Sequence, residues 1–182
     1  MGGSSNPFAG MSGMGGSDPY AQQTGRDEAQ LSLSLEDAHK GGKMQITLPS
    51  GKNATINIPV GISEGQTLKL KGLGSQGRGG VKDLYVKINI KPHAIFKANG
   101  KDLSADVKIT PWDAALGGTV NVPTLDGISK IKIPAMTHTE KRMKLSGKGL
   151  GGKGDLFVTL KIDIPATLTD KQKELFEKLK NS

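Results

Sequence analysis

Apolar and polar residues alternate along most of this chain. Leu31, Leu33 and Leu35 are separated by Ser32 and Ser34, and Met44, Ile46 and Leu48 keep the same period. Leu84, Val86, Ile88 and Ile90 alternate with Tyr85, Lys87 and Asn89. Leu103, Ala105, Val107 and Ile109 repeat the pattern, as do Leu156, Val158, Leu160, Ile162 and Ile164. A period of two puts successive side chains on opposite faces, so these runs predict strands with one face buried. Shorter strands are predicted at Ala54–Ile58, Thr67–Lys71, Val120–Val122, Ile128–Ile133 and Met143–Leu145. Proline cannot donate to a ladder, so Pro49, Pro59, Pro92 and Pro165 mark strand ends. The period changes once, in the tail. Thr169-Asp170-Lys171-Gln172 fits a capping box, and Leu175, Phe176 and Leu179 then share one helical face.

The pattern also repeats. Leu35-Glu36-Asp37-Ala38-His39-Lys40-Gly41-Gly42 answers to Pro111-Trp112-Asp113-Ala114-Ala115-Leu116-Gly117-Gly118. Each reads as one helical turn stopped by glycine, which takes the left-handed dihedrals a helix exit needs. Ile56-Asn57-Ile58-Pro59 answers to Ile131-Lys132-Ile133-Pro134, Leu70-Lys71-Gly72-Leu73-Gly74 to Leu145-Ser146-Gly147-Lys148-Gly149, and Lys82-Asp83-Leu84 to Gly154-Asp155-Leu156. An order-preserving match of this kind predicts two copies of one mostly β unit. Two copies argue for tandem domains and against a solenoid, which needs at least about three. The expected organisation is a Gly/Ser/Met-rich disordered linker over 1–27, a first domain over 28–102, a second over 103–165 and a tail helix over 166–182. That helix has only about three turns, below the ~12–15 residues that are marginal alone, so its apolar face must dock. Its own domain and a second chain both remain open as the dock.

Composition narrows the chemistry. Zero cysteines exclude a disulfide framework and any Cys-ligated zinc or iron–sulfur site. No apolar run reaches the ~20 residues that span a bilayer, and the N-terminus has no signal-peptide core, so a cytoplasmic setting without membrane contact is expected. The net charge is +8. Lysines that guard exposed strand edges and a basic surface for nucleic acid or an acidic partner both account for that charge.

The catalytic candidates each have a plainer explanation. Gly72-Leu73-Gly74-Ser75-Gln76-Gly77 spells G-x-G-x-x-G, but a strand at Leu84 follows it where a nucleotide site needs a helix. A wide hairpin connection is expected instead. His39, His93 and His138 lack any metal-ligand spacing. Asp37 and Asp113 fall where a carboxylate favours a helix N-terminus. No catalytic residues, no metal and no cofactor are expected, and the chain reads as a non-enzyme. A binding role has more support. Leu31, Ile46 and Leu48 fall on neighbouring strands, with Phe96 expected nearby from a later loop. If they line an open groove, an extended peptide could add to the sheet edge and insert one apolar side chain. Ordinary core packing is the competing explanation for the same residues.

These residues carry a resemblance. Leu-Ser-Leu-Glu-Asp-Ala…Gly-Gly at Leu33–Gly42, Ile-Asn-Ile-Pro…Gly…Gly at Ile56–Gly65, Leu-Lys-Gly-Leu-Gly at Leu70–Gly74, Gly-Lys-Asp-Leu at Gly100–Leu103, Trp-Asp-Ala-Ala-Leu-Gly-Gly at Trp112–Gly118 and Gly-Asp-Leu at Gly154–Leu156 occur in this order. Over nearly everything after Arg26, the chain resembles the C-terminal part of DnaJ-type co-chaperones of the zinc-free, CbpA-like class. The resemblance implies two tandem β-sandwich-like domains, each with a short helix, and a C-terminal dimerisation helix whose contacts would be Leu175, Phe176 and Leu179. It implies a homodimer that binds unfolded or extended polypeptides and delivers them to a DnaK-type ATPase chaperone. The implied hydrophobic pocket maps to Leu31, Ile46, Leu48 and Phe96, made shallower by Ala29. Lys43 and Lys52 map near the basic residues that bind the partner chaperone's acidic tail. The Gly/Met/Ser-rich start looks like a Gly/Phe linker. With no His-Pro-Asp motif, the chain is expected to be a fragment unable to stimulate the partner's ATPase. DNA binding is the alternative, because CbpA-like proteins are associated with curved DNA.

Overall fold

The computed structural model describes residues 27–48, 51, 53–77 and 79–182. The expected linker therefore lies outside the described residues apart from Asp27, and so does Lys52.

The first unit runs β1 (Asp27–Leu33), α1 (Leu35–Lys40), β2 (Gly42–Thr47), β3 (Asn53–Ile58), β4 (Thr67–Leu70), β5 (Gln76–Gly77), β6 (Gly80–Val81) and β7 (Leu84–Ile90). The second runs β8 (Phe96–Asn99), β9 (Asp102–Ile109), α2 (Pro111–Leu116), β10 (Gly118–Thr124), β11 (Gly127–Ile133), β12 (Arg142–Leu145), a 3-10 turn at Leu150–Gly152 and β13 (Leu156–Ile162). The tail helix α3 spans Asp170–Lys180. The fold is mostly β, two tandem sandwich-like units each with a short helix, followed by the C-terminal helix.

Each unit pairs its first and last long strands in parallel. Leu31 lies opposite Ile88 in the β1–β7 ladder, and Val107 lies opposite Leu160 in the β9–β13 ladder. The antiparallel strands β4 and β12 flank β7 and β13. The hairpins β2–β3 and β10–β11 form the second layer. The alternation read from the sequence is the burial pattern: Leu84, Val86 and Ile88 are buried while Lys87 and Asn89 face outward. Leu103, Ala105, Val107 and Ile109 are buried in β9, and Leu156, Val158 and Leu160 in β13. The last two isoleucines of that run depart from the pattern. β13 ends at Ile162, leaving Ile162 and Ile164 exposed.

The two helical turns are started by hydroxyl caps that the sequence analysis did not name. Ser34 Oγ accepts from the Asp37 amide at 3.1 Å, and Thr110 Oγ1 from the Asp113 amide at 3.2 Å. Gly41 and Gly117 close the turns at φ 62° and 74°, and a Cβ at either would stand 2.7 Å from a backbone atom at or just past the end of the following hairpin, Ile58 O and Ala135 N. The G-x-G-x-x-G segment is the connection between the antiparallel strands β4 and β7, with the small β5–β6 hairpin inside it, so no helix faces a phosphate.

One boundary moves. β8 pairs antiparallel with β9, Phe96 opposite Ala105, so residues 96–99 belong to the second sheet and a division after 102 cuts a hairpin. The proline at 92 follows the end of β7, and Phe96–Asn99 form a strand before the chain turns at Gly100 and Lys101.

A duplicated staple holds the Gly-rich connections. The Asp83 carboxylate accepts from Gly72 N–H at 3.0 Å and pairs with Lys69 Nζ at 3.0 Å. Asp155 does the same with Gly147 N–H at 3.0 Å and Lys144 Nζ at 2.7 Å. The lysine ahead of the backbone amide holds each carboxyl below the usual carboxylate range. A depressed folded value means that the carboxylate's stabilisation is complete above the unfolded value, about 3.9 for Asp, and is lost as pH falls through the lower folded value. The urea midpoint should therefore drop on acidification through that window. In D83N/D155N the decline should be shallower, and an unchanged slope would show that these staples do not couple to folding.

Candidate functional site

Strands β1 and β2 are adjacent in sequence, joined by α1, but they do not pair with each other. β1 is an edge of the three-stranded sheet and β2 pairs only with β3, so among the described residues each keeps one unpaired edge. Between them lies a cavity of about 230 Å³ lined by Ala29, Gln30, Leu31, Gln45, Ile46, Thr47, Leu48, Leu84 and Val86. Leu84 and Val86 form its floor, each 1% exposed. Leu48 is nearly buried, whereas Leu31, Ile46 and Ala29 are half-buried and reach the opening. The volume is below the ~300–1,000 Å³ of sites that enclose a whole small ligand. It suits one apolar side chain delivered by a longer molecule.

The structure thus brings Leu31, Ile46 and Leu48 together, as the sequence pattern suggested, and separates Phe96 from them. Phe96 is 5% exposed, belongs to β8 and does not line this cavity. Its ring stacks on His93 with centroids 5.2 Å apart. With Leu35, Glu64, Ile90, Pro92 and Lys97 it lines a different cavity of about 380 Å³ at the connection between the units. The physical reason is the β8–β9 ladder, which pulls the segment after Pro92 into the second sheet. The residues that sequence reasoning missed are Leu84 and Val86. Their alternation was legible, but the parallel β1–β7 pairing that carries them beneath Leu31 was not.

Lys43 is exposed on β2, two residues before Gln45 of the cavity wall and opposite Asn57 of β3. The remaining expected contacts are on the tail. Thr169 and Gln172 form the capping box, with Gln172 N–H donating to Thr169 Oγ1 at 3.3 Å and Thr169 N–H to Gln172 Oε1 at 2.9 Å. Phe176 is half-buried and packs on Trp112 of α2, ring centroids 6.1 Å apart, so the helix docks on its own chain. Leu175 and Leu179 stay exposed, 56% and 69%.

Two of the three histidines make specific contacts. His39 is buried and bridges Asp126 and Gly151 of the second unit, and His93 Nδ1 accepts from the Ile95 and Phe96 amides at 3.1 Å. Among the described residues no group of three or more His, Cys, Asp or Glu side chains is arranged to hold a metal, and no helix is long and apolar enough to cross a membrane.

Two tandem β units, each with a short helix and the first with an open-edged apolar cavity, define a duplicated β-sandwich class of protein. Comparison with known proteins gives the class its family. A family model described as the DnaJ C terminal domain matches residues 28–165. The chain belongs to the DnaJ C-terminal domain family, and hence to a family of chaperones and co-chaperones. It is 36% identical over 176 residues to "Curved DNA-binding protein" of Coxiella burnetii, a match covering 87% of this chain and 56% of the relative. It is 36% identical over 157 residues to "Chaperone protein DnaJ 2" of Synechocystis sp., covering 84% and 50%. It is 48% identical over 134 residues to "Chaperone protein DnaJ" of Fusobacterium nucleatum subsp. polymorphum, covering 70% and 34%. The chain spans about half the length of the curated relatives it matches.

The burial differences separate structural from accessible cavity residues. Leu48→Ala should lower stability by about 2–5 kcal/mol, as buried Leu truncations do. Ile46→Ser, at the rim, should cost well under half as much by chemical denaturation. Equal losses would mean that the rim is sealed.

Proposed function

We propose that the chain binds unfolded, extended polypeptides at the β1–β2 cavity and passes them to a DnaK-type ATPase chaperone. The observation that supports this most is the juxtaposition of two unpaired strand edges with an apolar cavity between them. An extended segment can pair its backbone along one edge while an alternate side chain enters the cavity. Burying one Leu or Phe side chain is worth about 1.5–3 kcal/mol, so a single site is weak and tolerant of sequence. That suits a holder that must release. Weak sites gain through effective concentration when two are linked, and the exposed Leu175 and Leu179 of α3 are the proposed contacts to a second copy. Phe176 contributes by anchoring α3 on Trp112. Lys43, exposed on β2 near the cavity, is the proposed contact for a carboxylate of the partner chaperone's tail, with Lys52 as the second candidate.

Leu31→Ser with Ile46→Ser should reduce suppression of client aggregation severalfold while the thermal transition stays cooperative. Undiminished suppression by the folded double variant would remove the cavity from the account. Leu175→Ser with Leu179→Ser should shift the mass measured by light scattering from dimer to monomer; an unchanged mass would place any self-association elsewhere.

DNA binding is a second reading, supported by the name of the Coxiella relatives and the net charge of +8. Neutralising several phosphates makes affinity fall steeply with salt. A flat salt response, or no binding at low salt, would discard it.

A further inference from the structure

Away from the cavity, the junction between the units holds a buried histidine with both ring nitrogens engaged. His39 on α1 is 7% exposed. Gly151 N–H donates to its Nδ1 at 3.0 Å, so that nitrogen carries no proton. The ring proton is therefore on Nε2, 2.9 Å from Asp126 Oδ1. The other Asp126 oxygen pairs with Lys148 Nζ at 3.1 Å. Beside the ring the two backbones press together. A Cβ on Gly61 would come within 2.9 Å of the Leu150 carbonyl oxygen, and one on Gly151 within 2.4 Å of Gly61 Cα. The Gly61 amide donates to Ala38 O of α1 at 2.9 Å, tying that loop to the same helix.

The repeat supplies an internal comparison. His39 and Gly61 correspond to Ala115 and Met136 in the second unit. Ala115 is exposed, and Met136 is 74% exposed although it adopts the same left-handed φ, 56° against 71°. The histidine and the close-approach glycine thus occur in the copy that has a neighbouring unit to hold. In the other copy the same positions face open space.

We propose that His39 is a latch that fixes the first unit against the second and that protonating its Nδ1 releases it. α1 leads from β1 directly into β2, the strands on either side of the cavity, so the latch positions the cavity relative to the second unit and α3. That consequence for clients rests on the peptide-binding reading above; the latch itself does not. An imidazole changes charge across the physiological pH range. In its charged form both nitrogens are donors, and Nδ1–H would then face Gly151 N–H. The charged groups around the ring are Asp126, from the β10–β11 turn, and Lys148 behind it, from the connection after β12. The Leu150–Gly152 turn offers only its backbone. On α1 itself, Glu36 is engaged with His93. Asp126 stays ionised because His39, then Lys148, hold its carboxyl below the usual range. Acid therefore keeps the Asp126 half of the contact and loses the Gly151 half, leaving a single pivot. The latch is closed when the ring is neutral and opens as pH falls.

The chain has no cysteine, so exposed Lys87 and Lys132 can be replaced by Cys and spin-labelled, one on each unit. Pulsed dipolar distances, with excess unlabelled chain to dilute any dimer, should give a narrow distribution at about pH 8 and a broad one at about pH 5. His39→Asn keeps an acceptor where Nδ1 stands and cannot titrate, so its distribution should be narrow at both. His39→Ala should be broad at both. His93→Gln should keep the wild-type response, which separates the two junction histidines. A wild-type distribution that does not change with pH, a His39→Ala distribution as narrow as wild type, or a pH response that survives in His39→Asn would each overturn the latch.

Discussion

The parallel pairing of the first and last long strands of each unit organises everything else. Because β1 runs beside β7 and in the same direction, the chain must leave β1, cross and return over its other side. The crossing is the α1 turn and the β2–β3 hairpin. Leu33, Leu84, Val86 and Ile88 are covered by that hairpin, with Ile56 and Ile58 facing them in one buried cluster. Among the described residues β1 is left with its outer edge free, and β2 arrives above it without pairing to it. The cavity is the gap this crossing leaves. Its floor is core and its rim is not, which is why one small site combines rigid and accessible residues.

The second unit repeats the crossing but differs in what it presents. Where the first has Glu36, His39, Lys40 and Gly61, the second has Trp112, Ala115, Leu116 and Met136. Of the first set, Glu36, His39 and Gly61 contact the neighbouring unit or the connection to it. In the second set Trp112 receives Phe176 of the tail, while Leu116 and Met136 are exposed. One scaffold thus supports a polar, titratable contact within the chain and an apolar surface beside the tail helix. Both depend on the same glycine-closed helical turn.

The fold was legible from the sequence wherever period and capping acted locally. The alternation in β7, β9 and β13, the Gly41 and Gly117 exits and the Thr169–Gln172 box all come from residues a few positions apart. So does the distinction between a Gly-rich hairpin connection and a nucleotide loop. Long-range pairing was not legible. His39 meets partners 87 and 112 residues away, and nothing in its neighbourhood on α1 signals them. Phe96 was misplaced because its short run, Phe96–Asn99, has no alternation of its own. It becomes a strand only when β9 supplies the other side of the ladder. Leu31, Ile46 and Leu48 were found together because the two strands that carry them are joined by a single helical turn.

The central claim is that extended peptides sit between the unpaired edges of β1 and β2. Amide chemical shifts of the isotope-labelled chain, followed while an extended Leu-containing peptide is added, test it most directly. The account predicts saturable shifts at Gln30, Leu31, Gln45 and Ile46, with Phe96 and the β8–β9 hairpin unmoved. Shifts centred on Phe96, or absent from β1 and β2 at saturating peptide, would contradict it.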